Sequence, residues 1–485
     1  MKRLADFLAA LPGKPFVLPA LLAFLALIFV IANLPWHLDN YDQAKQAYVA
    51  YEIVKTGDMW FQQTPQGASA SKPPLMGWVS AALRLAGLPW DLAWRLPSLI
   101  CALAILGILV RAGRAILGEP GAVLAAAAFG LNLLTPRLAT LVRTDMMLGF
   151  FIFLSGWMIW RKLRAGAPWT TPERWAFCAI QVAALMTKGP VIYAFLLPGL
   201  VAFIVLDAKN RRLAWSGWWT WLLPLGLFIA WGAAALMMKE GFYDDVVNRE
   251  FLSRFQEGAR DDERPQPFWF YFPHLLHKFA PWSWLVLALP IAFPAVRRHL
   301  RDRPATLWLV LWTFGGLLAM TLIPAKRVDR VYPVIPPLCL LLVDWLSLVW
   351  NDRRIRIASG AALAGGFLFA GGYFIGLVPL SYHERTPALV EFAKTARETA
   401  AARGFDTIAL PRVRDEGLLL YLDVLRFTDK GDAFRAWKAG EPMAILMSDR
   451  TARGFFEEVG DVKPALDSGE LRAKNDKRYF LFIQD

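Results

Sequence analysis

The sequence of 485 residues has few charged side chains, since Asp, Glu, Lys and Arg together make up only 19% of it. Soluble globular domains contain about 25% charged residues and about 45–50% apolar residues. Hydrophobic residues make up 56% of this chain, and 22 of them are Trp. This composition argues against a soluble globular protein and predicts a chain that crosses a membrane several times.

Cysteine and histidine are also scarce. The three cysteines, Cys101, Cys178 and Cys339, lie inside separate hydrophobic runs. Their spacing fits neither a disulfide framework nor a metal site, so we interpret them as small apolar residues. His274 and His277 are three residues apart, and such a pair at a helix start is more often hydrogen-bonded structure than a pair of metal ligands.

The net charge is +13, which in a soluble protein would suggest a nucleic-acid partner. Here much of the excess lies in short loops between hydrophobic runs, as the positive-inside bias requires. We therefore expect no nucleic-acid partner, and we assign the basic loops to the inner side of the membrane.

Hydrophobic runs predict eleven membrane spans, with the amino terminus inside and the carboxyl terminus outside. A further run, Leu75–Leu85, carries Arg84 and is too short to cross, so we expect an interfacial helix on the outer face. The eleven runs are Phe16–Leu34, Leu92–Val110, Ala122–Leu134, Met146–Trp160, Trp175–Met186, Val191–Leu206, Trp218–Met238, Ser283–Val296, Ala305–Ile323, Val331–Val349 and Ile357–Leu377.

The remaining tail has a different pattern, so we predict a membrane domain over residues 1–380 and a soluble domain over 381–485. "DTIAL", "PMAILM" and "RYFLFI" are typical of buried strands, and "TPALVEFAKTARETAAA" and "DRTARGFFEEV" have helical apolar spacing. The predicted fold is an all-α polytopic membrane protein with a small C-terminal α/β domain. The tail has no Gly-rich phosphate loop and no catalytic cluster, so we assign it a structural or acceptor-docking role.

The external segment 35–91 contains, from Asp39 onward, "DNYDQAKQAYVAYEIVKTGDM". Its apolar residues recur at helical spacing from Asp42 onward, and Gly57 is typical of a helix end. We expect an amphipathic helix with the Asp42 carboxylate at its start, where the helix dipole favours an acid. Taken alone, this stretch favours a helix cap and nothing more.

Other external loops bring further charged residues to the same side. Asp145 directly precedes a span, Lys188 lies in a minimal turn, and Lys326 begins the group that ends at Arg330. Cations at a membrane edge also serve simply as helix anchors. Outward-facing Lys and Arg nevertheless oppose the positive-inside bias, and with two acids they suggest a phosphate-bearing lipid as ligand. The spans themselves carry almost no charge, which counts against an ion-coupled transporter.

Several segments, in order, resemble the GT-C membrane glycosyltransferases, in particular the protein O-mannosyltransferase-like branch that includes the lipid A aminoarabinose transferase. The resemblance extends over roughly residues 14–349. It implies a GT-C fold and transfer of a sugar from a polyprenyl (undecaprenyl) phosphate carrier to an acceptor at the outer face. The segments are "DQAKQAYVAYEIVKTGDM", "SKPPLMGW", "RLPSLICALAILGILVRAGRAILG", "RTDMMLGFF", "MTKGP", "RPQPFWFYFPHLLHKFAPWSW" and "AKRVDRVYPVIPPLCLLL".

The resemblance also implies roles for individual residues. Asp42 matches the acid that is the expected catalytic base, and Asp145 matches the second external acid. The residues expected to bind substrate or the donor phosphate are Lys72, Lys188, Lys326, Arg330 and Tyr48. Two departures concern a metal: Ser71 stands where many relatives have Glu, and "YDDVVNREFLSRF" lacks a His. We therefore expect neither a required cofactor nor a zinc site comparable to that of the lipid A enzyme.

The resemblance implies an inverting glycosyltransferase, and with the predicted topology it implies one of the bacterial inner membrane with its active site on the periplasmic face. The preferred acceptor is lipid A or lipopolysaccharide, and membrane lipids are further partners. The alternatives are a protein or other glycan O-glycosyltransferase of the same fold, a lipid-linked sugar transporter, and a non-catalytic assembly subunit.

Overall fold

The computed structural model describes residues 2–38, 41–252, 266–324, 326–377, 388–411, 415–460, 462–469 and 478–485. The chain forms two compact units, each discontinuous in sequence. The helical unit comprises Met1–Asn33, Ser71–Met76 and Arg95–Leu377. The mixed unit comprises Leu34–Ala70, Gly77–Trp94 and Val378–Asp485. The predicted division at residue 380 falls among residues outside the described ones and stays a prediction.

Helices dominate the chain, as the composition predicted. The α-helices are α1 (Lys2–Ala10), α2 (Val17–Ile31), α3 (Tyr41–Thr56), α4 (Leu75–Leu85), α5 (Trp90–Gly130), α6 (Thr135–Ala139), α7 (Thr144–Ala165), α8 (Thr171–Lys188), α9 (Val191–Leu206), α10 (Arg211–Ala214), α11 (Trp219–Met238), α12 (Tyr271–Lys278), α13 (Ser283–Leu300), α14 (Pro304–Leu322), α15 (Ile335–Val349), α16 (Asp352–Gly366), α17 (Ala388–Ala401), α18 (Glu416–Tyr421), α19 (Lys430–Lys438) and α20 (Asp449–Val459). Short 3₁₀ helices cover Leu11–Gly13, Phe268–Phe270 and Val328–Val334, and π-helices cover Tyr243–Phe251 and Phe367–Leu377.

Each predicted apolar run coincides with a helical segment. The first two runs after the external segment share α5, which is broken at Leu117 and Gly118, where Gly118 has φ +65°. Among the described residues, six helices are long and apolar enough to cross a membrane, or seven if α2 and the bent segment before it count as one span. The chain is thus a multi-pass membrane protein, while the number of eleven spans stays a prediction.

Close helix packing in the helical unit depends on small residues. Gly199 of α9 faces α14, and a side-chain carbon added there would lie 2.7 Å from the carbonyl oxygen of Leu311. Gly156 of α7 accommodates the ring of Trp312 in the same way, and its carbonyl accepts a 2.9 Å hydrogen bond from the indole of Trp308. Small residues at such contacts allow membrane helices to approach closely, which increases their van der Waals packing.

The mixed unit contains a four-stranded sheet of β1 (Ile408–Ala409), β2 (Met443–Ser448), β3 (Leu466–Asp467) and β4 (Tyr479–Gln484) in the order β1-β2-β4-β3. β1 pairs with β2 in parallel, and the other pairs are antiparallel. Ile445 lies opposite Phe482, and both pack with Trp437 of α19 and Phe455 of α20. Three of the strands and α20 lie where the sequence predicted them.

The mixed unit also contains the external helix α3 and the part of α4 from Gly77 onward, and the two helices pack together. Val49 and Ile53 of α3 form an apolar cluster with Ala70, Ala81 and Trp78. The apolar face predicted for α3 is therefore buried, and α4 has the bounds expected for the interfacial helix.

Candidate functional site

Two of the predicted site residues meet in the helical unit, where the start of α7 lies beside the end of α8. Arg143 is extended (φ −147°, ψ 150°), so α7 begins after it and Asp145 lies in the first turn. Lys188 is the last residue of α8, which ends at Gly189 with φ +72°. The Lys188 Nζ lies 2.5 Å from Asp145 Oδ1, and Asp145 is only 5% exposed. An acid at a helix start and a cation at a helix end are each favoured by the helix dipoles.

The pair belongs to a longer ionic chain. Arg143 places Nε 3.6 Å from Asp145 Oδ2 and Nη1 2.8 Å from Asp329 Oδ2. Arg327 Nε lies 3.5 Å from the other oxygen of Asp329. We call Lys188, Asp145, Arg143, Asp329 and Arg327 the ionic chain. These groups are three cations and two carboxylates, and Lys and Arg are side chains that bind phosphate in proteins.

Packing holds the two halves of the ionic chain together. Tyr332, in the 3₁₀ helix Val328–Val334, is fully buried, and its ring would contact any side-chain carbon at Gly149 of α7. Its hydroxyl donates to the sulfur of Met146 at 3.1 Å. The segment that carries Asp329 is thereby fixed on the helix that carries Asp145.

Two other predicted cations of this unit, Lys326 and Arg330, directly flank Arg327 and Asp329 of the ionic chain in sequence. Lys326 is 8% exposed, and its Nζ donates to the carbonyl oxygen of Gln266 at 3.0 Å. Burial lowers the pKa of the Lys326 ammonium, because desolvation disfavours the charged form. Arg330 and Lys72 are half-buried, and Lys72 lies in the turn before α4.

The mixed unit carries the other two predicted residues, Asp42 and Tyr48. Asp42 lies half-buried in the first turn of α3, and the Gly57 amide closes that helix by donating to Ile53 O at 2.9 Å, as predicted. Tyr48 is buried, and its hydroxyl donates to the Leu425 carbonyl at 2.6 Å. The substrate contact expected for Tyr48 stays a prediction, and the structure gives this hydroxyl a partner in the tail.

An arginine of the tail holds α3 in place. Arg426 contacts the Tyr48 hydroxyl and the Glu52 carboxylate, and it donates to Gln63 Oε1 at 2.9 Å and to Thr64 O at 3.1 Å. The Glu52 carboxylate also accepts a hydrogen bond of 2.5 Å from the backbone N–H of Gln63. Burial raises the pKa of Glu52, and Arg426 opposes this rise. We call these interactions the Arg426 clamp.

A second contact lies one turn further along α3. The Tyr51 hydroxyl donates to Asp423 Oδ1 at 2.9 Å, and Lys55 Nζ lies 3.0 Å from the same carboxylate oxygen. Arg143 and Arg426 were not among the site residues predicted from the sequence. A site role for Arg143 could have been predicted, because it stands two residues before Asp145 at the start of a span. A role for Arg426 could not, because its partner Glu52 is 374 residues away.

The expectation that this chain lacks a zinc site comparable to that of the lipid A enzyme stays a prediction. Ser71 offers neither a carboxylate nor an imidazole, and the segment "YDDVVNREFLSRF", which lacks His, extends into residues outside the described ones. Among the residues that the structure describes, no group of three His, Cys, Asp or Glu is placed to hold a metal ion. The ring of His274 instead packs on Phe270, with 4.5 Å between ring centres.

The fold of the chain is found in known proteins. The chain superposes on the crystal structure of ArnT from Cupriavidus metallidurans bound to undecaprenyl phosphate with a TM-score of 0.70 and 18% identity, covering 95% of this chain and 97% of that one. The apo structure of the same protein gives a TM-score of 0.72 and 19% identity. These matches confirm the GT-C fold that the sequence resemblance predicted.

The sequence is also similar to those of curated proteins. They are undecaprenyl phosphate-α-4-amino-4-deoxy-L-arabinose arabinosyl transferases. The protein from Pseudomonas paraeruginosa is 27% identical over 350 residues, which is 70% of this chain and 61% of that protein. The protein from Shewanella sediminis is 24% identical over 215 residues, which is 44% of this chain and 37% of that protein. The chain thus spans less than two thirds of the length of these relatives. No protein-family model matches it.

Proposed function

We propose that this chain is a membrane glycosyltransferase that moves a sugar from undecaprenyl phosphate to an acceptor on the periplasmic face of the bacterial inner membrane. Lipid A or lipopolysaccharide is the preferred acceptor. The observation that carries the proposal is the ionic chain of the helical unit, a cation-rich site at helix ends in a fold shared with an ArnT structure that holds undecaprenyl phosphate. The names of the curated relatives support the same donor.

The reaction breaks the bond between the anomeric carbon and the phosphate oxygen. An acceptor oxygen attacks the anomeric carbon from the opposite side, and undecaprenyl phosphate leaves with the electron pair of the broken bond. Negative charge therefore grows on the phosphate, and preorganised cations stabilise it. A single such donor contributes about 3–4 kcal/mol to transition-state stabilisation. We assign this role to Lys72, Lys188, Lys326 and Arg330.

The two acids have different surroundings, and we assign them different roles. Asp145 is buried between Lys188 and Arg143, so it holds these cations in position. Asp42 is half-buried in the first turn of α3. If the acceptor is a hydroxyl group, Asp42 takes its proton as the acceptor oxygen attacks. If the acceptor is a phosphate, no base is needed, and Asp42 orients the acceptor.

The test uses the purified chain in nanodiscs with a panel of undecaprenyl-phosphate sugars and extracted lipopolysaccharide. Mass spectrometry follows sugar-sized gains in the lipid A and core fractions. We expect a gain that Asp42→Asn abolishes. Glu391→Gln, which also removes one carboxylate charge from an exposed helix position of the mixed unit, serves as the matched control and should keep the activity.

The same experiment separates the alternatives. A gain in a parallel reaction with extracted periplasmic proteins and glycans, with none on lipid A, would keep the transferase and change its acceptor. No gain with any donor, together with donor binding that Asp42→Asn leaves intact, would replace the transferase by a lipid-linked sugar transporter or a non-catalytic assembly subunit.

A further inference from the structure

The first helix of the chain lies at a steep angle to the next one. The segment Lys2–Gly13 is bent by 79° from α2. When α2 crosses the membrane, α1 therefore lies close to the membrane plane. Leu4 and Phe7 stand one turn apart on α1 and are 62% and 61% exposed. A helix with exposed apolar residues and basic flanks is typical of one that lies in the lipid headgroup region.

α16 packs directly against α1. Gly360 of α16 approaches the backbone so closely that any side chain there would overlap the carbonyl oxygen of Leu8. Arg353 Nη2 donates to Asp6 Oδ1 at 2.9 Å. Because Asp352–Gly376 is long and apolar enough to span the membrane, the first turn of α16 lies at the membrane surface beside α1.

This contact gathers charge of one sign. We call α1, the segment up to Lys14 and the first turns of α16 the α1–α16 basic surface. It has six basic and two acidic residues, and both acids already pair with an arginine of α16. The four other basic residues form no ion pair with any residue that the structure describes. They are Lys2, Arg3, Lys14 and Arg354, and all four are exposed.

We propose that the α1–α16 basic surface binds the headgroups of anionic phospholipids at the face of the membrane where the amino terminus lies. The exposed apolar side chains reach the acyl region, and the unpaired cations meet the lipid phosphates. This arrangement matches the recognised combination of an amphipathic helix with a basic cluster at a membrane edge. Each basic residue near an anionic surface raises binding about five-fold.

The test measures how strongly the full-length protein retains phosphatidylglycerol and phosphatidylcholine after delipidation, by native mass spectrometry at low salt. The variant combines Lys2→Gln, Arg3→Gln and Arg354→Gln. The matched control removes the same charge from exposed positions between α9 and α11, by Lys209→Gln, Arg211→Gln and Arg212→Gln. We expect the preference for phosphatidylglycerol to fall at least about ten-fold in the first variant, and to persist in the control.

A second variant, Gly360→Val, keeps every charge but separates α1 from α16. It should also lose the lipid preference, while its melting temperature in phosphatidylcholine reports whether the unit remains folded. The proposal is overturned if the triple variant keeps the preference, or if the control loses it equally. It is also overturned if folded Gly360→Val binds phosphatidylglycerol as the wild type does.

Discussion

Replacing Arg426 by Gln should loosen α3, the helix that carries Asp42. Arg426 is paired with Glu52, whose side chain is only 3% exposed. Removing one partner of a buried ion pair costs about 3–5 kcal/mol, because the other charge is left uncompensated. Since the Arg426 side chain is itself 31% exposed, we reduce this cost to about 2–3 kcal/mol.

The cost should depend on which partner is removed. Glu52→Gln deletes the buried charge, and its amide oxygen still accepts hydrogen bonds, so we expect a loss of only about 1 kcal/mol. The double variant should then be more stable than Arg426→Gln alone, because neither buried charge remains unpaired. This order is specific to a clamp and is not expected from general disruption of the fold.

The pH dependence follows from the raised pKa of Glu52. A carboxyl whose folded-state pKa lies above its unfolded value loses stabilisation as pH rises through that pKa. Arg426 is the group that opposes the rise, so its removal raises the pKa of Glu52 further. The destabilisation by Arg426→Gln should therefore be smaller at pH 5 than at pH 8.

Hydrogen exchange of the α3 amides measures this opening directly. A cost of about 2–3 kcal/mol accelerates exchange by roughly 30- to 150-fold. Arg435→Gln breaks an exposed pair with Asp432 in the same unit and should change exchange very little. Unchanged exchange in Arg426→Gln, or a double variant no more protected than that single variant, would contradict the role of Arg426 in holding α3.

Three further predictions concern the helical unit. Lys188→Gln should lower the rate of glycosyl transfer by about 100-fold. Lys188→Arg should restore part of that rate, because an arginine can still pair with Asp145. Steady-state rates with saturating donor test both variants. Affinity for undecaprenyl phosphate should fall as pH rises through the lowered pKa of Lys326, below the range of an ordinary lysine, and Lys326→Arg should flatten the profile in a binding titration. Gly199→Ala should destabilise the unit by about 1–3 kcal/mol through overlap with α14, while Gly226→Ala, which meets nothing within 4 Å, should not; melting followed with a thiol-reactive dye compares them.

Local sequence patterns predicted the helices well, because the apolar spacing within one segment shows which face of that segment is buried. Leu75–Leu85 has the same bounds in sequence and structure. The strand β3 was not predicted, because two residues, Leu466 and Asp467, are too few to show an alternating pattern. Burial of Tyr48 was predictable from its place on the apolar face of α3, but its partner Leu425 was not, since nothing in either segment specifies the other.

The candidate site shows the same limit. Asp145, Lys188 and the charged group Lys326–Arg330, which contains Asp329, were noticed because charged residues are rare beside membrane spans. Their connection through Arg143 depends on how α7, α8 and the 3₁₀ helix Val328–Val334 pack, and this packing brings together residues far apart in sequence. The division into two discontinuous units could likewise not be predicted from the sequence, because the external segment and the tail lie at opposite ends of the chain.

The hydrogen bonds of α3 suggest a positioning role for the tail in the proposed transfer. Asp423, Leu425 and Arg426 all bind side chains of α3, and Asp42 lies in the first turn of that helix. A tail variant that frees α3 would therefore misplace Asp42 instead of removing a reacting group. Loss of transfer in such a variant argues for positioning if α3 exchange accelerates in parallel, and for acceptor docking if α3 stays protected.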